Sequence, residues 1–417
     1  MMEIQKVHAE IVTIGDEILY GQITDTNSQW MSVELDKIGI KVIRKSSVGD
    51  DEIEILTILS EAEKRADIIL ITGGLGPTND DITKKTIAKH FNCGLILNQE
   101  ALKEVSDFFQ KRGRELTEVN KQQAYLPEKA TYVPNKWGTA PGMWLENGTK
   151  VFVSMPGVPF EMKGLMTHEI IPRLKSKFHC PVIYHKVIKT AGIGESFLAE
   201  KIKSWEENLP DEMKLAYLPG FDGVKLRITS LGKDEATLIS KTNQELEKLK
   251  ELAGSYIYGY DDDTMGSAIG RLLKEKKHTI ATAESCTGGY VSHLITLVPG
   301  SSAYFMGGVV AYDNRIKMEI LGVKEETLRE HGAVSEETVK EMAEGVRKKF
   351  KTSVGIASTG IAGPDGGTEE KPVGTVWIGY SDQGKTIAKK LVFGKEREVN
   401  IRLTGLYLLN FLRESLG

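Results

Sequence analysis

The chain has 417 residues, with 54 basic against 58 acidic side chains, a net charge of −4, 40% hydrophobic and 27% charged residues. This composition excludes a disordered or fibrous chain, and the slight acidic excess argues against non-specific binding to DNA or to an anionic membrane. No apolar run is long enough to span a bilayer and the N-terminus lacks a secretory pattern, so the cytoplasm is the expected location; typical domain sizes of about 100–200 residues predict two to four domains.

The three cysteines, Cys93, Cys180 and Cys286, form no C-x-x-C pair and are expected to be reduced. The eight histidines are scattered without zinc-ligand spacing.

Residues 1–172 alternate apolar runs with helical patterns: AEIVTI, SQWMSVELDKIG, IKVIRK, a helix near 51–65, and DIILIT. Met31, Leu35 and Ile38 recur on one helical face. This βαβ alternation predicts a parallel sheet with helices on both sides, and polar loops gathered at the carboxyl ends of the strands. Two such loops combine glycines with acids: EIVTIGDEILYGQITDTN at 10–27 and ITGGLGPTNDDIT at 71–83. There Gly73, Gly74, Gly76 and Thr78 are candidates for a phosphate cradle, and Asp16, Asp80 and Asp81 for a hard-cation site. Asp50 or Asp51 is a possible further acid.

Residues 176–254 read as a small α+β unit: strand PVIYHKVIKTAG, helix ESFLAEKIKSWEENL, strands MKLAYLPG and GVKLRITSLG, and a long charged helix. Glu195 either reaches a ligand or caps its helix. The following SYIYGYDDDTMG reads as a linker. From 262 to 417 a second α/β alternation begins. The expected fold class is therefore α/β, two domains with mainly parallel or mixed sheets joined by a small α+β domain.

In the C-terminal block, strand HTIATA runs into AESCTGG at 283–289, before a helical pattern. Ser285 is either a nucleophile beside free amides at a helix start or simply the helix cap. Cys286 lacks a histidine partner: His293, seven residues on, is about 10 Å away along a helix. It reads as a small buried residue. The next strand ends at Tyr312, and Lys317 follows one turn into a helix that Asp313 or Asn314 can cap. Neighbouring parallel strands bring Ser285, Tyr312 and Lys317 to one edge, where a Ser–Lys pair is a recognised variant of the serine triad. Lysine serves as a base near neutrality only if its pKa falls by about three, at a cost of about 4 kcal/mol. Residues 355–378 then carry Ser358, Thr359, Gly360, Gly363, Gly366 and Gly367 in what reads as a ligand-approaching loop.

AESCTGG, the Tyr and Lys of YDNRIK, and STGIAGPDGGTEEKPVGTV together resemble the C-terminal domain of the CinA family, which is similar to nicotinamide mononucleotide amidohydrolases. The resemblance extends through GGLGPTNDDIT, similar to the motif of molybdopterin-binding domains, and through NKQQAYLP, GTAPGM, MPGVPFEM, GIGES and AYLPG, so it covers essentially the whole chain. It implies Ser285 as nucleophile, Lys317 as its base and Tyr312 as a helper, without a cofactor, with helix-start amides at Gly288 and Gly289 and the Thr359–Gly360 region about the substrate. The chain departs from the family pattern at Asp313 and at Gly394–Lys395–Glu396–Arg397; neither departure removes a proposed catalytic group, and Arg397 is assigned a phosphate contact. The resemblance further implies an ADP-ribose pyrophosphatase in the first domain, using a divalent cation (Mg or Co, with K as a further ion), a KH-like middle domain, and a homodimer. A nucleic-acid or competence role and molybdopterin processing are the alternatives. The middle block has only GIG where nucleic-acid-binding KH domains carry GXXG, which disfavours the first.

Overall fold

The computed structural model describes residues 7–76, 78, 81–221 and 223–417. The chain divides into two compact units, Met1–Tyr184 with Ser230–Ile239, and His185–Thr229 with Ser240–Gly417.

In the first unit a six-stranded sheet has the order Ile40–Val48, Val7–Ile14, Ile68–Thr72, Lys150–Met155, Gly142–Asn147, Thr131–Val133. Its first four strands are mutually parallel and its last two pairings antiparallel. Alternate residues of each central strand point to opposite faces. Ile11, Ile68 and Leu70 join Met31 and Leu35 of helix Thr26–Lys37 in one core, while Val12, Ile14, Ile69 and Ile71 join Ile55 and Leu59 of helix Glu52–Arg65 in another. Both faces are covered, as the near-continuous apolar strands require.

The second unit contains the C-terminal domain and most of the middle domain, whose residues up to Tyr184 and Ser230–Ile239 are counted with the first. The middle sheet has the order Met213–Gly220, Gly223–Gly232, Val182–Thr190, Ile257–Tyr260, with a core of Ile188, Leu198, Ile202, Leu226 and Leu249. Where the sequence suggested a linker, Ile257–Tyr260 instead pairs antiparallel with Val182–Thr190, because its aromatic and β-branched residues complete the sheet edge. Gly194 occupies the N-cap of helix Glu195–Glu207 without a side-chain cap bond, so Glu195 does not cap it in the structure.

The C-terminal sheet has five strands in the order Phe305–Val310, Ile280–Glu284, Val354–Gly360, Thr375–Ser381, Thr386–Val392. The first three are parallel and the rest antiparallel. Ile280 and Ile356 face helices Met265–Glu275 and Arg397–Leu416, and Ala281, Ala283 and Ala357 face helix Glu336–Phe350. Ser358, Thr359 and Gly360 belong to the strand rather than to the loop that follows. Among the described residues no helix is long and apolar enough to cross a membrane.

One ion pair is built into the first sheet. Glu10 is fully buried in strand Val7–Ile14 and takes both Arg65 Nε and Nη2 at 3.0 Å, with Ser46 Oγ at 2.9 Å. Arg65→Ala strands a buried carboxylate and is expected to lower unfolding stability by about 3–5 kcal/mol, read as an earlier urea transition, while Glu61→Ala at the exposed end of the same arginine changes it little.

Candidate functional site

The C-terminal site grows from a register. Glu284 and Val310 end their strands and align with each other, and Glu284 also aligns with Ser358, two residues before the end of its strand, so the residues that follow them meet at one edge. A cavity of about 210 Å³ opens there, lined by Ser285, Cys286, Tyr312, Lys317, Thr359 and Arg397 among others. Gly360 also lines it; Gly288 and Gly289 do not.

Lys317 is 1% exposed. It lies in helix Asn314–Leu321, whose start is capped by the Asp313 side chain accepting from Arg315 N at 2.8 Å. Lys317 Nζ donates to the carbonyls of Ala311 at 2.7 Å and Tyr312 at 3.2 Å, and among the described residues it has no ion-pair partner. Burial lowers its pKa from the ordinary lysine value, against a smaller opposing pull from Asp313. The same surroundings push the Cys286 thiol up to about 12, chiefly by desolvation. Tyr312 is 63% exposed, and its hydroxyl accepts from Arg397 Nη2 at 3.2 Å while Arg397 Nη1 donates to the Gly363 carbonyl at 2.7 Å. Thr359 Oγ1 donates to the Ala333 carbonyl at 2.7 Å.

The sequence reading missed Glu284. Its side chain is 1% exposed and turns back under the loop that it begins. It accepts from the amides of Gly289 (3.0 Å), Val291 (3.0 Å) and Ser292 (2.8 Å) and from the hydroxyls of Thr287 (2.7 Å) and Ser292 (2.6 Å). Helix Tyr290–Thr296 thus has Gly289 at its N-cap, in a left-handed conformation with φ 100°, and Glu284 as the carboxylate on its positive end. Two expectations change accordingly. Ser285 is not the helix cap, and the amides at Gly289, Val291 and Ser292 belong to Glu284 rather than standing open to an oxyanion. Gly288 N donates to the Ser285 carbonyl at 3.2 Å. Among the described residues the Thr287 amide has no hydrogen-bond partner, and the Cys286 amide lies against its own thiol. The only available sequence signal was an acid at the end of an apolar strand, directly before the hydroxyl and glycine run.

In the N-terminal domain the loop after strand Ile68–Thr72 takes Gly73 and Gly74 through φ 110° and 64°; a Cβ at Gly73 would run into the Ile14 carbonyl and one at Gly74 into the Thr83 hydroxyl. Where the sequence offers Gly76 and Thr78 to a phosphate and Asp81 to a cation, the structure joins the three. The Asp81 carboxylate accepts from Gly76 N at 2.8 Å, from Thr78 N at 2.9 Å and from the Thr78 hydroxyl. Asp80 lies outside the described residues. Asp16 and Asp50 exchange bonds: Asp16 N donates to Asp50 Oδ2 at 3.3 Å, and Asp50 N to Asp16 Oδ1 at 3.4 Å. Burial and the neighbouring charges of Asp16, Glu17 and Asp81 raise the Asp50 pKa, with only the Asp16 amide bond opposing. Among the described residues no three His, Cys, Asp or Glu side chains are grouped to hold a metal by themselves. Next to the loop, Lys84 lies in a cavity of about 430 Å³ that also includes Gly76, Thr78 and Asp81, and burial lowers its pKa to about 8.

Three family models match the chain in succession: the probable molybdopterin binding domain over residues 10–176, the damage-inducible protein CinA KH domain over 185–259, and the CinA C-terminal domain over 262–416. A CinA-like protein of Cytophaga hutchinsonii is 53% identical over 410 residues, 98% of each chain. A putative competence-damage inducible protein of Clostridium tetani is 42% identical over 410 residues, 98% of this chain and 100% of its own. A crystal structure of the protein CinA, of unknown function, from Thermoplasma acidophilum is similar at 32% identity and TM-score 0.38, over 42% of this chain and 99% of that one. The chain belongs to the CinA family.

The Glu284 network predicts a stability effect confined to the C-terminal domain. Glu284→Ala removes a buried cap from two hydroxyls and three amides and is expected to cost about 2–4 kcal/mol, read in urea unfolding as an earlier transition for that domain alone.

Proposed function

We propose that the C-terminal domain is an amidase that hydrolyses nicotinamide mononucleotide to nicotinic acid mononucleotide and ammonia, with Ser285 as nucleophile and Lys317 as base. The observation that carries this reading is the state of the Lys317 amine: buried, without an ion-pair partner among the described residues, lowered in pKa, and lining the same cavity as Ser285. A neutral amine has two N–H bonds. The carbonyls of Ala311 and Tyr312 accept two, which leaves the nitrogen lone pair to take the Ser285 proton.

Ser285 Oγ then bonds to the carboxamide carbon. The oxyanion lies toward the Cys286 and Thr287 amides, which Glu284 does not take. The protonated Lys317 returns its proton to the amide nitrogen, the C–N bond breaks, and ammonia leaves an ester on Ser285. Water, deprotonated by Lys317, attacks the ester carbon to release the carboxylate and regenerate the hydroxyl. The cavity of about 210 Å³ suits the pyridine ring alone, below the roughly 300–1,000 Å³ of whole-ligand pockets. The ribose phosphate then extends outward to Arg397, which is exposed and bonded to the Tyr312 hydroxyl.

Ser285→Ala is expected to abolish ammonia release, and Cys286→Ala to retain most of it. Lys317→Arg, a side chain of similar reach that stays charged, is expected to lose about three orders of magnitude or more. Because the base must be unprotonated, kcat/KM rises with pH through the lowered lysine pKa and is flat above it; a pH-independent rate, or an active Lys317→Arg, would overturn the assignment.

A second reading is favoured by the Asp16–Asp50 pair. Burial first, and then the neighbouring charges of Asp16, Glu17 and Asp81, raise the Asp50 pKa, and magnesium-type cations are commonly held by one or two carboxylates together with substrate phosphates. Asp16 and Asp50 fit that role in an ADP-ribose pyrophosphatase, where a divalent cation would neutralise phosphate oxygens and activate water. Products from ADP-ribose are expected to disappear with chelator and in Asp50→Asn, while ammonia release from nicotinamide mononucleotide is retained in both. Turnover of molybdopterin in place of ADP-ribose would decide for the other reading of this domain.

A further inference from the structure

Helix Arg397–Leu416 brings two side chains of its first turn to the loop that closes the C-terminal cavity. Arg397 Nη1 donates to the Gly363 carbonyl at 2.7 Å, and Asn400 Nδ2 donates to the carbonyl before it, that of Ala362, at 2.9 Å. Residues three apart share a helical face, so the pair grips two consecutive carbonyls of one loop. Asn400 Nδ2 also donates to the Gly394 carbonyl at 3.0 Å, two residues ahead of the Glu396 N-cap. One carboxamide thereby ties the loop after strand Val354–Gly360 to the segment after strand Thr386–Val392.

Only a double donor fits that place. A carboxamide nitrogen carries two N–H bonds, and the two carbonyls accept both. The amide oxygen, turned the other way, has no hydrogen-bond partner, although Asn400 is fully buried. An unpaired buried acceptor is destabilising, yet the reversed amide would set that oxygen against two carbonyl oxygens. The side chain is thus locked in one orientation. Close packing adds to the constraint: Gly363 has φ 93°, and a Cβ there would meet the Lys395 carbonyl at 2.9 Å.

The group placed by this constraint is Arg397. Its guanidinium is exposed, yet two of its five N–H bonds are fixed, one on the Gly363 carbonyl and one on the Tyr312 hydroxyl at 3.2 Å. Fixing a long side chain in advance reduces the ordering cost of binding. We infer that Asn400 is a positioning residue: by holding Ala362 and Gly394 it sets the Gly363 carbonyl that aims Arg397, and so sets the preference of the C-terminal site for a 5′-phosphorylated nucleotide over the corresponding nucleoside. The inference rests on the amidase reading and on the phosphate contact given there to Arg397, and it adds the residue that makes that contact selective.

Ammonia release by the full chain from nicotinamide mononucleotide and from nicotinamide riboside, which lacks the phosphate, tests this. The wild type is expected to show a KM about tenfold or more lower for the nucleotide. Asn400→Leu, close in volume but without a donor, and Asn400→Ala, which cannot overpack, are each expected to raise the nucleotide KM about tenfold with kcat within about twofold, and to leave kcat/KM for the nucleoside within about twofold. In an Arg397→Ala background the same substitutions are expected to change the nucleotide preference no further, since both residues act through one contact. Melting temperatures report which variants are folded. An unchanged nucleotide KM in a folded variant, equal losses on both substrates, or failure of both variants to fold marks Asn400 as structural only and overturns the inference while the amidase reading stands. A wild type that does not distinguish the two substrates overturns the inference together with the phosphate contact of Arg397. No ammonia from either substrate overturns the amidase reading itself.

Discussion

The C-terminal site depends on a carboxylate that never touches substrate in the proposed reaction. Glu284 ends a fully buried strand, where an unpaired charge would be prohibitive, and it is tolerated because five donors converge on it. Those donors are the start of a helix and two hydroxyls. Satisfying them folds residues 285–289 into a turn rather than letting the helix begin at Ser285. The serine is therefore held at the strand end, with Thr287 locked beneath it between Glu284 and Ser358 Oγ at 2.7 Å from each. The helix dipole that a generic reading would aim at an oxyanion is neutralised from inside, and the turn amides remain.

The two α/β sheets place their chemistry by the same topological rule and with opposite charge. Parallel neighbours deliver their carboxyl ends to one edge in each. In the N-terminal sheet the loops at that edge gather acids, and burial together with those neighbouring charges lifts the Asp50 pKa. In the C-terminal sheet the edge receives one lysine, carried inward by a helix whose first turn is anchored at Asp313. The first arrangement suits a ligand that brings cations with it. The second suits a neutral carboxamide.

Much of this was legible from residues alone. Apolar strands alternating with helices announced both sheets, and the adjacency of parallel strands brought Ser285, Tyr312 and Lys317 to one cavity edge before any coordinates. What was not legible lay in side-chain bonding partners. Nothing in AESCTGG tells whether the glutamate points to solvent or folds under the helix; that follows from the strand being covered on both faces. Likewise GGLGPTNDDIT shows acids and amides without showing that Asp81 takes the Gly76 and Thr78 amides for itself.

In the proposed reaction one environment acts on both groups that bear on the choice between serine and cysteine as nucleophile. Removing water penalises whichever form of a group is charged. For a thiol that is the reactive form, so burial drives Cys286 up to about 12 and keeps it protonated and inert. For an amine the charged form is the inactive one, so the same desolvation moves Lys317 toward the neutral base. A hydroxyl gains from this pairing because it needs a base to take its proton during attack rather than a thiolate formed beforehand. A cavity that disables its cysteine thereby equips its serine, and polar substitutions that let water reach Lys317 would work against both effects at once.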